Sequence, residues 1–379
     1  SEVEYAPWCL IAGTVSYYVC LHYWHHMPHC LLGSRQVTVF LDKLCVHQTD
    51  AERKQAGILA FASFIANSNR VLCLWSPEYF NRLWCTLEMA AWVSSQQSGF
   101  KPLVFLPLRL YKLTYVVNVF FSVARMAYAI NNATGRIIPA ALMMGLWCFV
   151  APLVLTYSLR QYLIDRAELE NQLQAFSVQS AACADEEDRA VVYQALRSWF
   201  GDLSDFDNLV RTQVRAHIVA NIGSSAHVPF VLTVPTMLHH LFFTVDYVMG
   251  GCYGFNAQDF TPIALLQDLA WILCVGATLP QQMWLLTCVS VVRPRRWIVD
   301  WAVTFIGGVI VAIQFAVIFV LLGNTSSAQP IWPIALVTFG CAVWFLWLQR
   351  ESFFCRTAPA QSARQLKVAS SPLPPIVSV

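Results

Sequence analysis

Charge is what this chain has least of. Asp, Glu, Lys and Arg make up 12% of its 379 residues while 57% are hydrophobic, against roughly 25% charge in an ordinary globular domain. That deficit argues against a wholly water-solvated fold and points to membrane lipid as a partner. The formal net charge is only +2, and no Lys/Arg-rich run is interleaved with aromatics, so nucleic acid is not an expected partner. The thirteen cysteines include no C-x-x-C pair and no zinc-finger spacing. Most fall in apolar segments, where a reduced thiol packs as a small hydrophobe. The opening Ser1-Glu2-Val3-Glu4 lacks the basic n-region of a signal peptide, and reads as the start of an N-terminally incomplete chain.

Against that background residues 36–108 stand out as a water-soluble α/β unit. Val37–Leu41, Val71–Trp75 and Leu103–Leu106 are short apolar runs separated by helical patterns, which predicts parallel strands joined by crossover helices. Asp50 is placed to cap a helix over Ala51–Asn67, with Glu52 in its first turn and Ile58, Phe61, Phe64 and Ile65 as its apolar stripe. A further helix opens at Asn81 or Arg82 and turns Leu83, Leu87, Ala90 and Ala91 inward. Polar chemistry in such sheets gathers beyond the carboxyl ends of the strands. Asp42, Ser76 and the loop leading to Glu88 fall there.

The ordered series Phe40-Leu41-Asp42, Gly57-Ile58, Ser68, Val71–Ser76, Tyr79 and Trp84-Cys85-Thr86-Leu87-Glu88 resembles the middle of a TIR domain, a flavodoxin-like fold. The resemblance implies a second strand and its following loop, a third strand ending in Ser, and the W-C-x-x-E helix. In NAD-cleaving TIR domains the glutamate four residues after that tryptophan is catalytic, which implies Glu88 here. A carboxylate in such a cleft can hold ribose hydroxyls and steady an oxocarbenium-like centre, as glycosidase carboxylates do. Trp75, Tyr79 and Trp84 would then contact the nucleotide, with Asp42 and Ser76 shaping the cleft, and NAD would be the substrate. The first strand and helix of a complete TIR domain are not in evidence. Their place is taken by an apolar helix at 7–24, and Lys43–Asp50 lacks the usual proline and glycine.

Outside that unit the patterns are those of membrane helices. Apolar stretches at 7–24, 111–130, 137–159, 227–249, 262–292, 297–322 and 331–348 approach or exceed the roughly 17-residue spanning minimum. The 262–292 stretch either crosses once or breaks around Pro280-Gln281-Gln282. Arg293, Arg295 and Arg296 form the densest basic loop, and the loops at 251–261 and 324–329 contain no Lys or Arg. The positive-inside rule then places the TIR-like unit and the C-terminus in the cytosol. The sequons at Asn132 and Asn324 fall on the opposite side.

The segment from 160 to 226 reads as a soluble helical insert. Asp185–Asp188 caps one of its helices and Ser204 another. Asp202, Asp205 and Asp207 lack the order of a calcium loop and read as capping residues. His22, His25, His26, His29 and Cys30 have paired i, i+4 spacings but no neighbouring carboxylate, and Pro28 interrupts their helix. No metal site is assigned. Asp246, Asp268 and Asp300 lie in or beside apolar stretches, where carboxylates mark an ion or proton route or contact a neighbouring helix. The tail from 357 to 379 is Pro/Ser/Ala-rich, with Pro372–Pro375 and Val377-Ser378-Val379 as candidate peptide ligands.

The resulting expectation is a mixed fold, with a partial TIR-like α/β unit joined to an all-α polytopic membrane domain. Its divisions are 1–35, a membrane helix and linker; 36–108, the TIR-like unit; 109–159, a membrane hairpin; 160–226, the insert; 227–349, C-terminal spans; and 350–379, a disordered tail. Three functional readings follow. The first is signalling or assembly through contact with copies of itself or other TIR-like proteins. The second is NAD glycohydrolysis by Glu88, with the first strand supplied upstream. The third is a channel or transporter with a TIR-like regulatory unit.

Overall fold

A computed structural model describes residues 8–23, 26, 38–41, 45–47, 49–96, 102–133, 151–183, 185–252, 262–288, 297–323 and 331–354. It is mostly helical and divides into two compact units. One gathers the described residues of 33–109 and 165–224, the other those of 1–32, 110–164 and 225–355.

The first unit is built on two parallel strands, β1 (Val71–Trp75) and β2 (Leu103–Pro107), paired from Val71↔Leu103 to Trp75↔Pro107. Before them lies α2 (Ala51–Asn67), and α3 (Leu83–Ser95) makes the crossover between them. Asp50 caps α2 as expected, its Oδ1 accepting from the Arg53 amide at 3.0 Å. The strand expected over Val37–Leu41 is not formed by its described residues, 38–41, and the sheet has two strands rather than three among the described residues. Phe40 turns instead to the apolar stripe of α2, stacking on Phe64 at 4.6 Å and meeting Phe61 edge-on at 5.4 Å. Its half-buried ring packs on a helix, not in a ladder.

The same core is completed by helices from the expected insert. In chain order, α4 (Leu108–Ala133) follows β2, and α5 (Ala151–Gln174) runs without a break through the boundary expected at 159/160. Residues 160–174 are rich in Arg, Gln, Leu and Glu, all good helix formers, so nothing in the backbone chemistry stops it there. Then come α6 (Glu186–Phe200), α7 (Leu203–Leu209), a π-helical turn over Val210–Val214, and α8 (Arg215–Ile222). Leu169, Leu173, Val192, Leu196, Phe206, Val210 and Ile218 share one buried cluster with Trp75, Leu83, Leu87, Trp92 and Phe105.

Polar contacts tie the two sequence segments together. Leu83 N donates to Ala182 O at 3.0 Å, Ala182 N to Asn81 O at 2.7 Å, and Gln172 Nε2 to Pro77 O at 3.0 Å. The Asp185 cap of α6 is present, accepting from Glu187 N at 3.1 Å. The next cap is Asp202 and not Ser204. Asp202 Oδ1 accepts from Leu203 N at 2.7 Å, while Ser204 spends its hydroxyl on Asp202 Oδ2.

The second unit contains α1 (Trp8–Tyr23), α4 from Leu110, α5 to Ile164, α9 (Phe230–Cys252), α10 (Pro262–Cys288), α11 (Trp297–Gly323), α12 (Trp332–Leu348) and α13 (Arg350–Phe354). Ala270, Cys274, Val275, Leu279 and Met283 make α10 the centre of its core. α10 is one helix through Pro280, and α9 passes through Pro235. Close approach is made possible by glycine. A Cβ on Gly276 would lie 2.6 Å from Met237 Sδ, and one on Gly13 2.9 Å from the Phe242 ring, the small-residue contact by which apolar helices pack.

Among the described residues, two helical stretches are long and apolar enough to cross a membrane, Leu108–Asn131 and Leu265–Cys288. Phe230–Asp246, Trp301–Gln314 and Trp332–Leu348 are apolar but shorter. The hairpin expected from Asn131 is helical to Ala133. The basic loop at 293–296, Asn324 and the tail from 355 lie outside the described residues.

Candidate functional site

The carboxyl end of β1 leads through the turn Ser76-Pro77-Glu78 into a single 3-10 turn, Tyr79–Asn81, and then into α3. Tyr79 N donates to Ser76 O at 3.0 Å, closing that turn and aiming the phenol back along α3. The Tyr79 hydroxyl donates to Glu88 Oε2 at 3.1 Å. Glu88, on the second turn of α3, is half-buried. Its carboxylate therefore has one oxygen held by a phenol that is itself 9% exposed.

Cys73 and Cys85 complete this group, both free thiols and both buried. Burial pushes the Cys73 thiol up to about 12, helped by the nearby charge of Glu88, while its hydrogen bond with Tyr79 acts the other way. Burial likewise raises the Tyr79 phenol well above its ordinary value, with Cys73 and Glu88 adding to the effect. Both stay protonated at neutral pH. Chemically the cluster can hold a half-exposed carboxylate in a fixed rotamer. It offers no activated thiolate.

Of the residues singled out in the sequence, Tyr79 and Glu88 are brought together. Ser76 is half-buried at the strand end, using its carbonyl in the turn, and Trp84 is half-buried against the core. Trp75 is 2% exposed and stacks on Phe105 at 6.0 Å. With Trp75 and Tyr79 both in the core, neither ring presents an open face to a nucleotide. Asp42 lies outside the described residues. Cys73 was missed by sequence reasoning; the two-residue spacing puts it on the same face of β1 as Trp75, but with every residue of the strand apolar nothing in the sequence says that this face is the buried one.

Two of the three acids singled out in the helical unit, Asp246 and Asp268, have described side chains. Asp246 caps α1 from a distant part of the chain, its two oxygens accepting from Cys9 N at 2.6 Å and Leu10 N at 2.7 Å. Asp268 lies within electrostatic reach of Arg125, whose guanidinium sits over the Phe243 ring at 3.5 Å. The side chain of Asp300 lies outside the described residues. His22 is engaged with Tyr18 O and Tyr115 Oη, at 2.8 and 3.0 Å. Of the acidic trio near α7, Asp202 caps, and Asp207 accepts from Val178 N at 2.9 Å while facing Arg211.

No protein family matches the chain, and no curated protein or solved structure is significantly similar to it.

Proposed function

We propose that this chain is a membrane-bound, TIR-like assembly or signalling protein whose α/β unit works by contact with another copy of itself. The observation that carries the reading is the unequal covering of its sheet. Cys73, Trp75, Leu103 and Phe105 face the core, whereas Leu72 and Leu74 are 54% and 51% exposed, beside the half-buried Val104 and Leu106. Parallel sheets are ordinarily covered on both faces. Four apolar side chains on an open parallel face are what a symmetric contact between copies would cover.

Membrane attachment is supported by the distribution of residue types in the helical unit. Trp301, Phe305, Ile306, Leu336 and Phe339 are more than half exposed, while Gln282, His239, Thr236 and Gln349 are almost wholly buried. Apolar outside and polar inside is the order expected in lipid. A multi-pass arrangement with the α/β unit and C-terminus in the cytosol belongs to the same proposal.

The test is the oligomeric state of the full chain in nanodiscs and in vesicles, followed by light scattering and cross-linking. Leu72→Lys with Leu74→Lys is expected to convert oligomer to monomer with little change in unfolding midpoint. A wild-type chain that is monomeric throughout, or an unaltered oligomer in the double variant, overturns the reading.

A second reading, NAD cleavage by Glu88, draws on the fixed Tyr79–Glu88 hydrogen bond. Its test is nicotinamide release from NAD by membranes carrying the full chain. No turnover, or turnover untouched by Glu88→Gln, removes it.

A further inference from the structure

Three helices of the helical unit meet along a seam that is polar amid apolar surroundings. α1 contributes Thr14, Tyr18 and His22, spaced by four residues and so on one face. α4 contributes Tyr115, Asn118 and Ser122, and α9 contributes His239. The Tyr18 hydroxyl donates to Asn118 Oδ1 at 2.6 Å and lies 2.9 Å from Ser122 Oγ. His239 Nε2 is 2.6 Å from Ser122 Oγ and 3.1 Å from Asn118 Oδ1, and its Nδ1 is 3.3 Å from Thr14 Oγ1. Thr14, Asn118 and Ser122 are buried, and His239 has no exposed surface.

A neutral ring accommodates the hydrogens of the seam. Ser122 has one hydroxyl hydrogen and gives it to the Asn118 carbonyl at 2.8 Å. Asn118 Oδ1 only accepts. In that assignment Nε2, which also faces Asn118 Oδ1, carries the ring hydrogen and Nδ1 accepts from the Thr14 hydroxyl. The seam is thus satisfied with His239 neutral. A second proton, on Nδ1, would meet the Thr14 oxygen only if that hydroxyl turned away. It would also create a cation that touches no carboxylate among the described residues.

The other titratable and charged groups around the ring do not relieve this. Tyr17 and Tyr18 of α1 pack on it at 6.1 and 6.4 Å between centroids. On its own helix, His240 is the next residue, and Asp246 is committed to Cys9 N and Leu10 N. Arg125 of α4, within electrostatic reach of His240, opposes a second positive charge, and Asp268 of α10 faces Arg125.

We propose that His239 is a proton-binding site that controls the seating of α1. With the ring neutral, α1 is held against α4 and α9. With the ring protonated, the second half of α1 comes away so that water can solvate the cation, while the Asp246 clamp keeps hold of its first turn. The proton binds the unseated state, so by linkage acid shifts the population towards it.

The experiment is hydrogen exchange of α1 in the full chain in nanodiscs at pH 7.5 and pH 5.5. Each rate is divided by that of an unstructured peptide of the same sequence at the same pH. Protection over Val15–Tyr23 is expected to fall by up to about tenfold at the lower pH, the two pH values bracketing the usual histidine value near 6.5, and to fall less near Cys9 and Leu10. His239→Gln keeps a donor and an acceptor and should show no pH dependence. Tyr18→Phe weakens the seated state and should move the loss of protection to higher pH. Unchanged protection in the wild type, an equal loss in His239→Gln, or an unshifted transition in Tyr18→Phe overturns the proposal.

Discussion

Leu74 pairs with Leu106 across the parallel ladder on the open face of the sheet, while Cys73 and Phe105, one residue earlier on each strand, pair on the buried face. Both faces are apolar, so burial and not residue type distinguishes them. Truncating either face is therefore expected to have very different consequences. Phe105→Ala, which empties a packed site against Trp75, should cost about 3–5 kcal/mol. Leu74→Ala, at a half-exposed site, should stay within about 1 kcal/mol. Urea unfolding of the full chain in micelles, followed by tryptophan fluorescence, measures both.

Asp207 joins two segments far apart in the sequence through its hydrogen bond from Val178 N. Asp207→Ala would leave that buried amide without its acceptor, at an expected cost of about 1–3 kcal/mol. Asp50→Ala removes only a helix cap, and should cost about 1 kcal/mol. A thermal melt that ranks them the other way would contradict the burial argument.

These two residues also show what the sequence made legible. Asp50 was readable because a cap is local: an Asp directly before an amphipathic run has one obvious use. β1 and β2 were readable for the same reason, as short β-branched and aromatic runs beside turn residues. Asp207 was read as a local helix cap, whereas the amide it accepts from, Val178 N, lies 29 positions away. Likewise nothing local says that α6, α7 and α8 complete the core begun by α3, or that Phe40 prefers α2 to the sheet. In the candidate site, Glu88 and Tyr79 were both singled out by the TIR-like series, Tyr79 as a ring for the nucleotide and not as the hydrogen-bond partner of Glu88. The burial of Trp75 followed from which sheet face is covered, and apolar alternation on both faces conceals that.

Two buried groups set opposite pH limits on the α/β unit. Cys73 titrates at about 12 when folded, against roughly 8.5 in an unfolded chain. Its contribution is full below the unfolded value and is lost as pH rises towards 12, by about 1 kcal/mol per pH unit. His217 is held below the ordinary histidine value by burial, its ring 5.2 Å from that of Trp92. Its contribution is full above roughly 6.5 and is lost as pH falls through the folded value. Unfolding midpoints should therefore decline on both sides of neutrality, with the alkaline limb flattened in Cys73→Ala and the acid limb in His217→Gln. Alkylation of Cys73 at pH 8 should require unfolding.

Asp246 supplies the last expectation, and it separates a structural carboxylate from a transporting one. Both of its oxygens are used on the amides of Cys9 and Leu10, where a negative charge also meets the positive end of α1. Asp246→Asn keeps one acceptor and removes the charge, and Asp246→Ala removes both acceptors. Protection of the first turn of α1 against exchange should fall from wild type to Asn to Ala, with each amide left bare contributing about 1–3 kcal/mol. A carboxylate that carries ions would instead lower flux through reconstituted vesicles in the Asn variant while leaving α1 protected. If both variants protect Cys9 and Leu10 as well as the wild type does, the clamp does not hold α1, and the role of Asp246 must be sought in the ion route.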